Sequence, residues 1–189
     1  MIEAVNQLAK ITNSQLRPPV TAEDLALLKS KYKQLPESLV NLLAIADGET
    51  DSSFKSNGMI AFEAFMSATE IAREHDFVES NELGDLSHFE GCDRISKTWH
   101  TGLIPISLGY DLRCVCIDMN PGPAGKVGQI LGLRPVTADL HVIADDLQSL
   151  LQNTLAIYQA RSFDADDDDC PCLTLEDFPR LKTSQGADG

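Results

Sequence analysis

The chain has 189 residues and a formal net charge of −14 at pH 7, and 43% of its residues are hydrophobic. That hydrophobic fraction is typical of a folded domain rather than of a disordered chain. The acidic excess argues against DNA or RNA as a direct ligand, because nucleic-acid affinity comes mostly from Lys and Arg contacts with phosphates. It also disfavours an anionic membrane surface, whereas it favours rapid capture of basic partners.

The N-terminus, which begins Met1-Ile2-Glu3-Ala4, lacks the basic stretch and continuous apolar run of a signal peptide. No window approaches the roughly 18 apolar residues of a membrane span. The five cysteines are an odd number without a secretory signal, which indicates free thiols in a reducing compartment. We therefore expect a cytoplasmic protein without a membrane anchor.

Three helices are predicted before residue 50. The first covers residues 1–16 and stops at Arg17-Pro18-Pro19, since proline cannot continue a helix. Thr21 caps the second helix, and Asp24 completes a box-like cap. The third helix has Pro36 in its first turn and closes at Asp47-Gly48.

A strand from Met59 to Phe65 is predicted next, and a capping box from Ser67 to Glu70 opens a fourth helix that reaches about Glu79. Further strands are predicted at residues 103–108, 112–119, 126–133 and 140–143, separated by turn signals. The strand at 112–119 is apolar on both faces, as in a central strand that is covered on both sides. A final helix carries an apolar stripe of Leu147, Leu150, Leu151, Leu155 and Tyr158.

This order predicts an α+β fold, in which N-terminal helices and a C-terminal helix pack against a mainly antiparallel sheet. Three segments are expected: an N-terminal helix and linker at 1–19, the α+β domain at 20–163, and an acidic tail at 164–189. The last boundary lies where the composition changes abruptly to Asp164-Ala165-Asp166-Asp167-Asp168-Asp169.

Two segments resemble motifs of phosphate or calcium binding, but neither has the residue spacing that the motif requires. Residues 120–128 superficially suggest a phosphate loop, but Val127 stands where Ser or Thr would hold Mg²⁺, so a hairpin turn explains them better. Residues 164–169 alternate carboxylates as a calcium loop does, but Asp169 occupies the position of the required glycine. We therefore interpret this run as a solvated acidic linker.

The cysteine pairs Cys114/Cys116 and Cys170/Cys172 have one-residue gaps, unlike the gaps of two to four residues in zinc sites. The first pair fits small core residues, while metal binding or oxidation at the second stays open. The four histidines occupy no recognisable motif. The sequence thus predicts no catalytic residue, no metal site and no cofactor, although a triad assembled from distant residues stays open.

One charge feature stands out. Between Glu70 and Asp93 the chain has eight acids and one base, Arg73. Like charges at this density repel, which is easier to understand if the surface meets a basic partner. Solubility alone is the competing interpretation. The acids are Glu70, Glu74, Asp76, Glu79, Glu82, Asp85, Glu90 and Asp93.

Several patterns between about residues 20 and 160 together resemble the SUKH superfamily, which includes fungal cell-wall-assembly regulators and bacterial immunity proteins. Asp47 departs from the family's usual Asn before Gly48, and the acidic insert before Trp99 and the tail are also departures. The patterns that carry the resemblance are Thr21-Ala22-Glu23-Asp24-Leu25, Leu35-Pro36-Glu37, Leu42-Leu43, Phe62 through Ser67-Ala68-Thr69-Glu70-Ile71, Trp99, Leu103-Ile104-Pro105-Ile106, Cys116-Ile117-Asp118, Gly128-Gln129-Ile130, Ile143-Ala144-Asp145-Asp146-Leu147 and Leu150-Leu151.

The resemblance implies an α+β domain that binds another protein and has no transferable catalytic residues. Our leading interpretation is a non-enzymatic immunity-type protein that neutralises a cognate basic toxin, with Glu49, Asp51 and the acids between Glu70 and Asp93 as its docking surface. The alternative is a regulatory scaffold for an endogenous partner, similar to the cell-wall-assembly regulators. Homo-oligomerisation stays open. An enzyme or metal-binding protein is the third hypothesis.

Overall fold

Helices flank a run of four strands in the part of the chain that the computed structural model describes, which is residues 1–50, 57–80, 93–96, 102–109, 113–134, 139–162 and 178. The first four helices precede the sheet, and the fifth follows it. The elements are α1 Ile2–Ile11, α2 Ala22–Lys31, α3 Glu37–Leu43, α4 Ala68–Ser80, β1 Leu103–Leu108, β2 Cys114–Asp118, β3 Gln129–Arg134, β4 Asp139–Ala144 and α5 Leu147–Ala160.

The strands form one antiparallel sheet in the order β1-β2-β3-β4, so that each strand pairs with its neighbour in sequence. Ile117 of β2 lies between Ile104 of β1 and Ile130 of β3. Antiparallel neighbours can be joined by short connections, so no crossover helix is needed between these strands. The predicted α+β fold with a mainly antiparallel sheet is confirmed.

Strand β2 is buried along its whole length. Val115 and Ile117 belong to the main hydrophobic core, whereas Cys114 and Cys116 belong to a second cluster that includes Leu131. Because successive side chains of a strand point to opposite faces, these two clusters lie on the two sides of the sheet. The prediction of a central strand with two apolar faces is confirmed.

Helix α1 packs against α5, and its Val5 and Leu8 are fully buried in the main core. The helix ends at Ile11, so the predicted extent of residues 1–16 is wrong at its C-terminal end. Asn13 adopts a positive φ of 49°, and the chain then runs back so that the Arg17 N–H donates to the carbonyl of Gly48 at 3.0 Å. Pairing with the segment after α3 replaces the last helical turn.

The helix starts follow the local cap signals. The side chain of Thr21 accepts the N–H of Asp24 at 3.1 Å, and Ser67 accepts the N–H of Glu70 at 3.3 Å. Glu70 in return accepts the N–H of Ser67 at 2.7 Å, which completes the predicted capping box. Pro36 stands at the N-cap of α3, one position before the first helical turn.

The predicted strand from Met59 to Phe65 is wrong. These residues form a tightly folded loop, in which the N–H of Gly58 donates to the carbonyl of Phe62 at 2.9 Å. Ala61 and Phe62 both have positive φ, at 47° and 73°, which is incompatible with a strand. Backbone hydrogen bonds join Gly58 to Phe62 and Ile60 to Glu63 within the loop, and the chain reaches the sheet at Phe65, which pairs with Ser107.

Candidate protein-interaction surface

The ten acids of the predicted docking surface divide into three groups. Side chains are described for Glu49, Glu70, Glu74 and Asp93. Asp76 and Glu79 lie in helix α4, but their side chains are outside the described part of the structure. Asp51, Glu82, Asp85 and Glu90 lie outside the described residues altogether.

Glu49 is buried, with 1% of its surface exposed, and its assignment to a docking surface is wrong. One carboxylate oxygen accepts the backbone N–H groups of Met59 at 3.2 Å and Phe65 at 2.7 Å. The other oxygen accepts the hydroxyl of Ser14. A carboxylate with three internal donors is satisfied inside the fold and holds the loop at 57–66 to the end of the α3 segment.

The two residues before Glu49 contact the chain where the 57–66 loop leads into α4. Asp47 accepts the backbone N–H of Ala68 at 2.7 Å and so adds a cap to helix α4. Gly48 has a φ of 84°, and a Cβ placed on it would lie 2.6 Å from the N atom of Ser67. Both the backbone angle and the close approach therefore require glycine there. We call Asp47, Gly48 and Glu49 the clasp.

Glu70 combines a structural task with partial exposure. It completes the capping box of α4, and its Oε1 lies 3.2 Å from Nη2 of Arg17. Its side chain is 18% exposed. A partner could reach this carboxylate only beside Arg17, so Glu70 contributes less free charge than its position in the sequence suggests.

Four carboxylates influence one another where α2 packs against α4: Asp24, Asp47, Glu70 and Glu74. Partial burial raises the pKa of Asp47, and the charges of Asp24 and Glu70 raise it further, while the Ala68 N–H and Arg17 lower it. Partial burial also raises the pKa of Glu74, with Glu70 adding to the effect and Arg73 opposing it. We call these four residues the α2–α4 acidic cluster.

Sequence reasoning identified Glu70 and Glu74 but missed Asp24 and Asp47 as members of this cluster. The interpretation of Asp24 as part of a helix cap is correct, whereas Asp47 is not the end of α3, because that helix already ends at Leu43 and Asp47 caps α4 instead. No local sequence pattern shows that Asp24 and Asp47 lie near Glu70, because this proximity depends on the packing of α2 on α4.

Asp93 is exposed and lies outside the helices. Its carbonyl accepts the N–H of Ala124 at 3.0 Å, in the turn between β2 and β3. Next to it, Nη2 of Arg94 forms an ion pair with Asp145, and the carbonyl of Arg94 accepts Nε2 of Gln129 at 2.7 Å. Asp93 therefore lies beside the β2–β3 turn, whereas Glu70 and Glu74 lie on α4.

Cys114 and Cys116 are buried, and their sulfur atoms are 3.4 Å apart. The hydrogen bond with Cys116 and burial together raise the pKa of the Cys114 thiol well above its usual value. A protonated, buried thiol is a poor nucleophile and a poor metal ligand. This arrangement agrees with their interpretation as small core residues.

Among the described residues, no group of three or more His, Cys, Asp or Glu side chains is arranged to hold a metal ion. Within the same part of the chain, no helix is long and apolar enough to cross a membrane. An open pocket at the start of α5 is lined by Met1, Glu37, Ser38, Asn41, Asp146, Gln148, Ser149 and Gln152.

Residues 19–153 match the SMI1 / KNR4 family (SUKH-1). The chain belongs to this family. The match confirms the resemblance that the sequence patterns indicated, and it begins just before α2 and ends within α5. SUKH-1 membership supports a role in protein interaction, of an immunity or a regulatory type. A comparison with curated protein sequences found no match.

Proposed function

We propose that this SUKH-1 protein is a non-enzymatic immunity protein that binds and neutralises a cognate toxin with a basic surface, and that it does so in the cytoplasm. The observation that carries the proposal is the charge between Glu70 and Asp93, eight acids against one base, in a domain of this family. The docking surface comprises Glu70, Glu74, Asp76, Glu79, Glu82, Asp85, Glu90, Asp93 and Asp51, without Glu49.

The α2–α4 acidic cluster supports a cationic partner. Partial burial raises the pKa values of Asp47 and Glu74, and the charge of Glu70 adds to both shifts. A Lys or Arg placed beside them would favour the ionised forms and lower both pKa values. Binding of a basic surface would therefore release protons wherever these two carboxyl groups are still partly protonated.

In such a complex, long-range electrostatic attraction affects mainly the association rate, and short-range packing affects mainly the affinity. Rim carboxylates mainly accelerate encounter and orient the partner, whereas apolar anchors supply most of the affinity. An acidic surface that covers a toxin's basic site would also exclude the anionic substrate of that site. The association rate should therefore fall steeply between low and physiological salt.

The first experiment is a pull-down from the source organism with the full chain as bait, followed by stopped-flow association with the captured protein. We expect a basic partner and an association rate that falls at least tenfold between low salt and physiological salt. An association rate that is independent of salt would contradict the electrostatic part of the proposal.

A charge-reversal pair then locates the surface. The test variant carries Glu74→Lys, Asp76→Lys and Glu79→Lys on α4. The matched control carries Glu3→Lys, Glu23→Lys and Glu37→Lys at exposed positions of α1, α2 and α3. Both triple variants change the net charge equally, so only a local effect makes the test variant slower than the control. Equal slowing would assign the effect to net charge alone.

The second candidate is a regulatory scaffold for an endogenous partner, which family membership supports equally. Co-expression separates the two functions. An immunity protein restores growth of cells that express the captured partner, whereas a scaffold leaves growth unchanged. A toxin gene beside this gene favours immunity.

A further inference from the structure

A tail residue occupies the main core. Phe178 lies beyond the expected boundary at residue 163 and beyond the family match, which ends at residue 153, yet only 2% of its surface is exposed. Its ring centroid is 5.6 Å from that of Phe62, and Phe62 in turn lies 5.1 Å from Tyr158 in an edge-on arrangement. The tail therefore supplies the third ring of an aromatic cluster.

The loop that presents Phe62 is strained. Ala61 and Phe62 are consecutive residues with positive φ, a conformation that L-residues with side chains rarely adopt. The hydroxyl of Tyr158 donates to the carbonyl of Gly58 at 2.9 Å and fixes the loop to α5. Strain held in place by surrounding contacts is a feature of binding sites, and here it places Phe62 against Phe178.

The anchoring of Phe178 is opposed by charge. The 15 residues between Ser162 and Phe178 contain seven acids and no Lys or Arg. Since the whole chain carries −14, the rest of it carries −14 minus −7, which is −7. Burial of Phe178 turns the chain between residues 162 and 178 into a closed loop, which costs entropy and confines seven acids to a negatively charged protein. Burial of the Phe178 ring acts against both costs.

We infer that the ring of Phe62, which also packs on Tyr158, is a docking site for a short segment with an aromatic anchor, and that the chain's own tail covers it through Phe178. The occupant is detachable, because it lies outside the family domain and the charge of its tether opposes it. Its release frees the aromatic site.

A peptide competition tests the inference in the full chain. The probe is a fluorescent peptide that copies residues 173–182, which carry two acids and two bases and hence no net charge. Its matched control has Ala in place of the Phe. We expect the Phe178→Ala chain to bind the probe at least ten times more tightly than the wild-type chain, and neither chain to bind the control peptide.

Salt provides a second readout. Screening weakens the repulsion of the tether and strengthens the intramolecular contact, whereas a neutral peptide binds with little salt dependence. The ratio between the two affinities should therefore increase with salt. Equal binding of the probe to both chains, or binding to neither, would overturn the inference.

Two further outcomes of the Phe178→Ala substitution would overturn the inference. A Phe178→Ala chain that fails to fold would overturn the inference, because Phe178 would then be an indispensable core residue rather than a detachable anchor. A wild-type dimer that dissociates on Phe178→Ala would also overturn it, since the anchor would then join two copies of the chain.

Discussion

The carboxylate of Glu49 accepts the backbone N–H of Phe65, which lies 16 residues further along the chain, at 2.7 Å. The same oxygen also accepts the N–H of Met59. One buried side chain thus replaces the pairing that a strand would have given this backbone. This explains how residues 57–66 can be buried without forming a regular element.

Glu49→Gln should lower the free energy of unfolding by about 2 kcal/mol, because the amide loses the charge and offers only one acceptor oxygen to the three donors. Urea denaturation measures the change. The exposed acid Glu37 provides the control, since Glu37→Gln should alter stability by less than about 0.5 kcal/mol. Equal stability of the two variants would show that the clasp carboxylate is dispensable.

Two glycines with similar backbone angles should respond differently to alanine. Gly48 and Gly128 have φ values of 84° and 86°, but a Cβ would meet backbone atoms under 3.0 Å only at Gly48, and nothing within 4 Å at Gly128. Gly128→Ala should cost about 1 kcal/mol from backbone strain alone. Gly48→Ala should cost clearly more, about 3 kcal/mol or above, because the clasp must also open. Thermal unfolding of both variants tests this, and equal costs would contradict the close approach at Gly48.

The ion pair between Glu63 and Arg113 should show strong coupling. Their side chains are 2% and 15% exposed, and Oε1 of Glu63 lies 3.4 Å from Nη1 of Arg113. Arg113→Met should cost about 3 kcal/mol, because it removes the cation beside a buried carboxylate. Adding Glu63→Gln should restore part of that loss. A double-mutant cycle in urea measures the coupling, and simple additivity would show that the pair contributes nothing as a pair.

Two capping carboxylates should have opposite pH dependences. The pKa of Asp47 is raised above 3.8, chiefly by burial, so its ionised form destabilises the folded state. This penalty is absent below pH 3.8 and develops fully as the pH rises through the raised pKa. The pKa of Asp146 is lowered below 3.8, first by the backbone N–H of Ser149, so its contribution is present above pH 3.8 and is lost as the pH falls through the lowered pKa.

At pH 7, Asp47→Asn should therefore stabilise the protein and Asp146→Asn should destabilise it, each by about 0.5 kcal/mol, because partial exposure screens both charges. Both differences should shrink below pH 3.8. Denaturation of the two variants and the wild type between pH 3 and pH 7 provides the measurement. Differences of the same sign would contradict the assigned environments.

Local chemistry explains which elements could be predicted. The caps at Thr21 and Ser67 act over three residues, and the two apolar faces of β2 follow from alternation within one strand. Sequence patterns carry such information directly. The fold class followed from these elements and their order.

Distant contacts explain the errors. Glu49 looks like a surface acid until Met59, Phe65 and Ser14 surround its carboxylate. The apolar residues of the 57–66 loop favour a strand in a local window, because such a window cannot show that distant parts of the chain bury them. The position of Phe178 in the core likewise depends on a ring more than 100 residues earlier in the chain.

The hydrogen bond from Tyr158 to Gly58 joins residues 100 positions apart. Helix α5 also carries the face on which α1 packs, so the first helix and the loop at residue 58 both depend on the last helix. During synthesis, neither can reach its final arrangement before residue 158 has emerged from the ribosome. Such non-local closure slows folding, and α1 and the loop at residue 58 must remain without their final contacts until helix α5 has been synthesised.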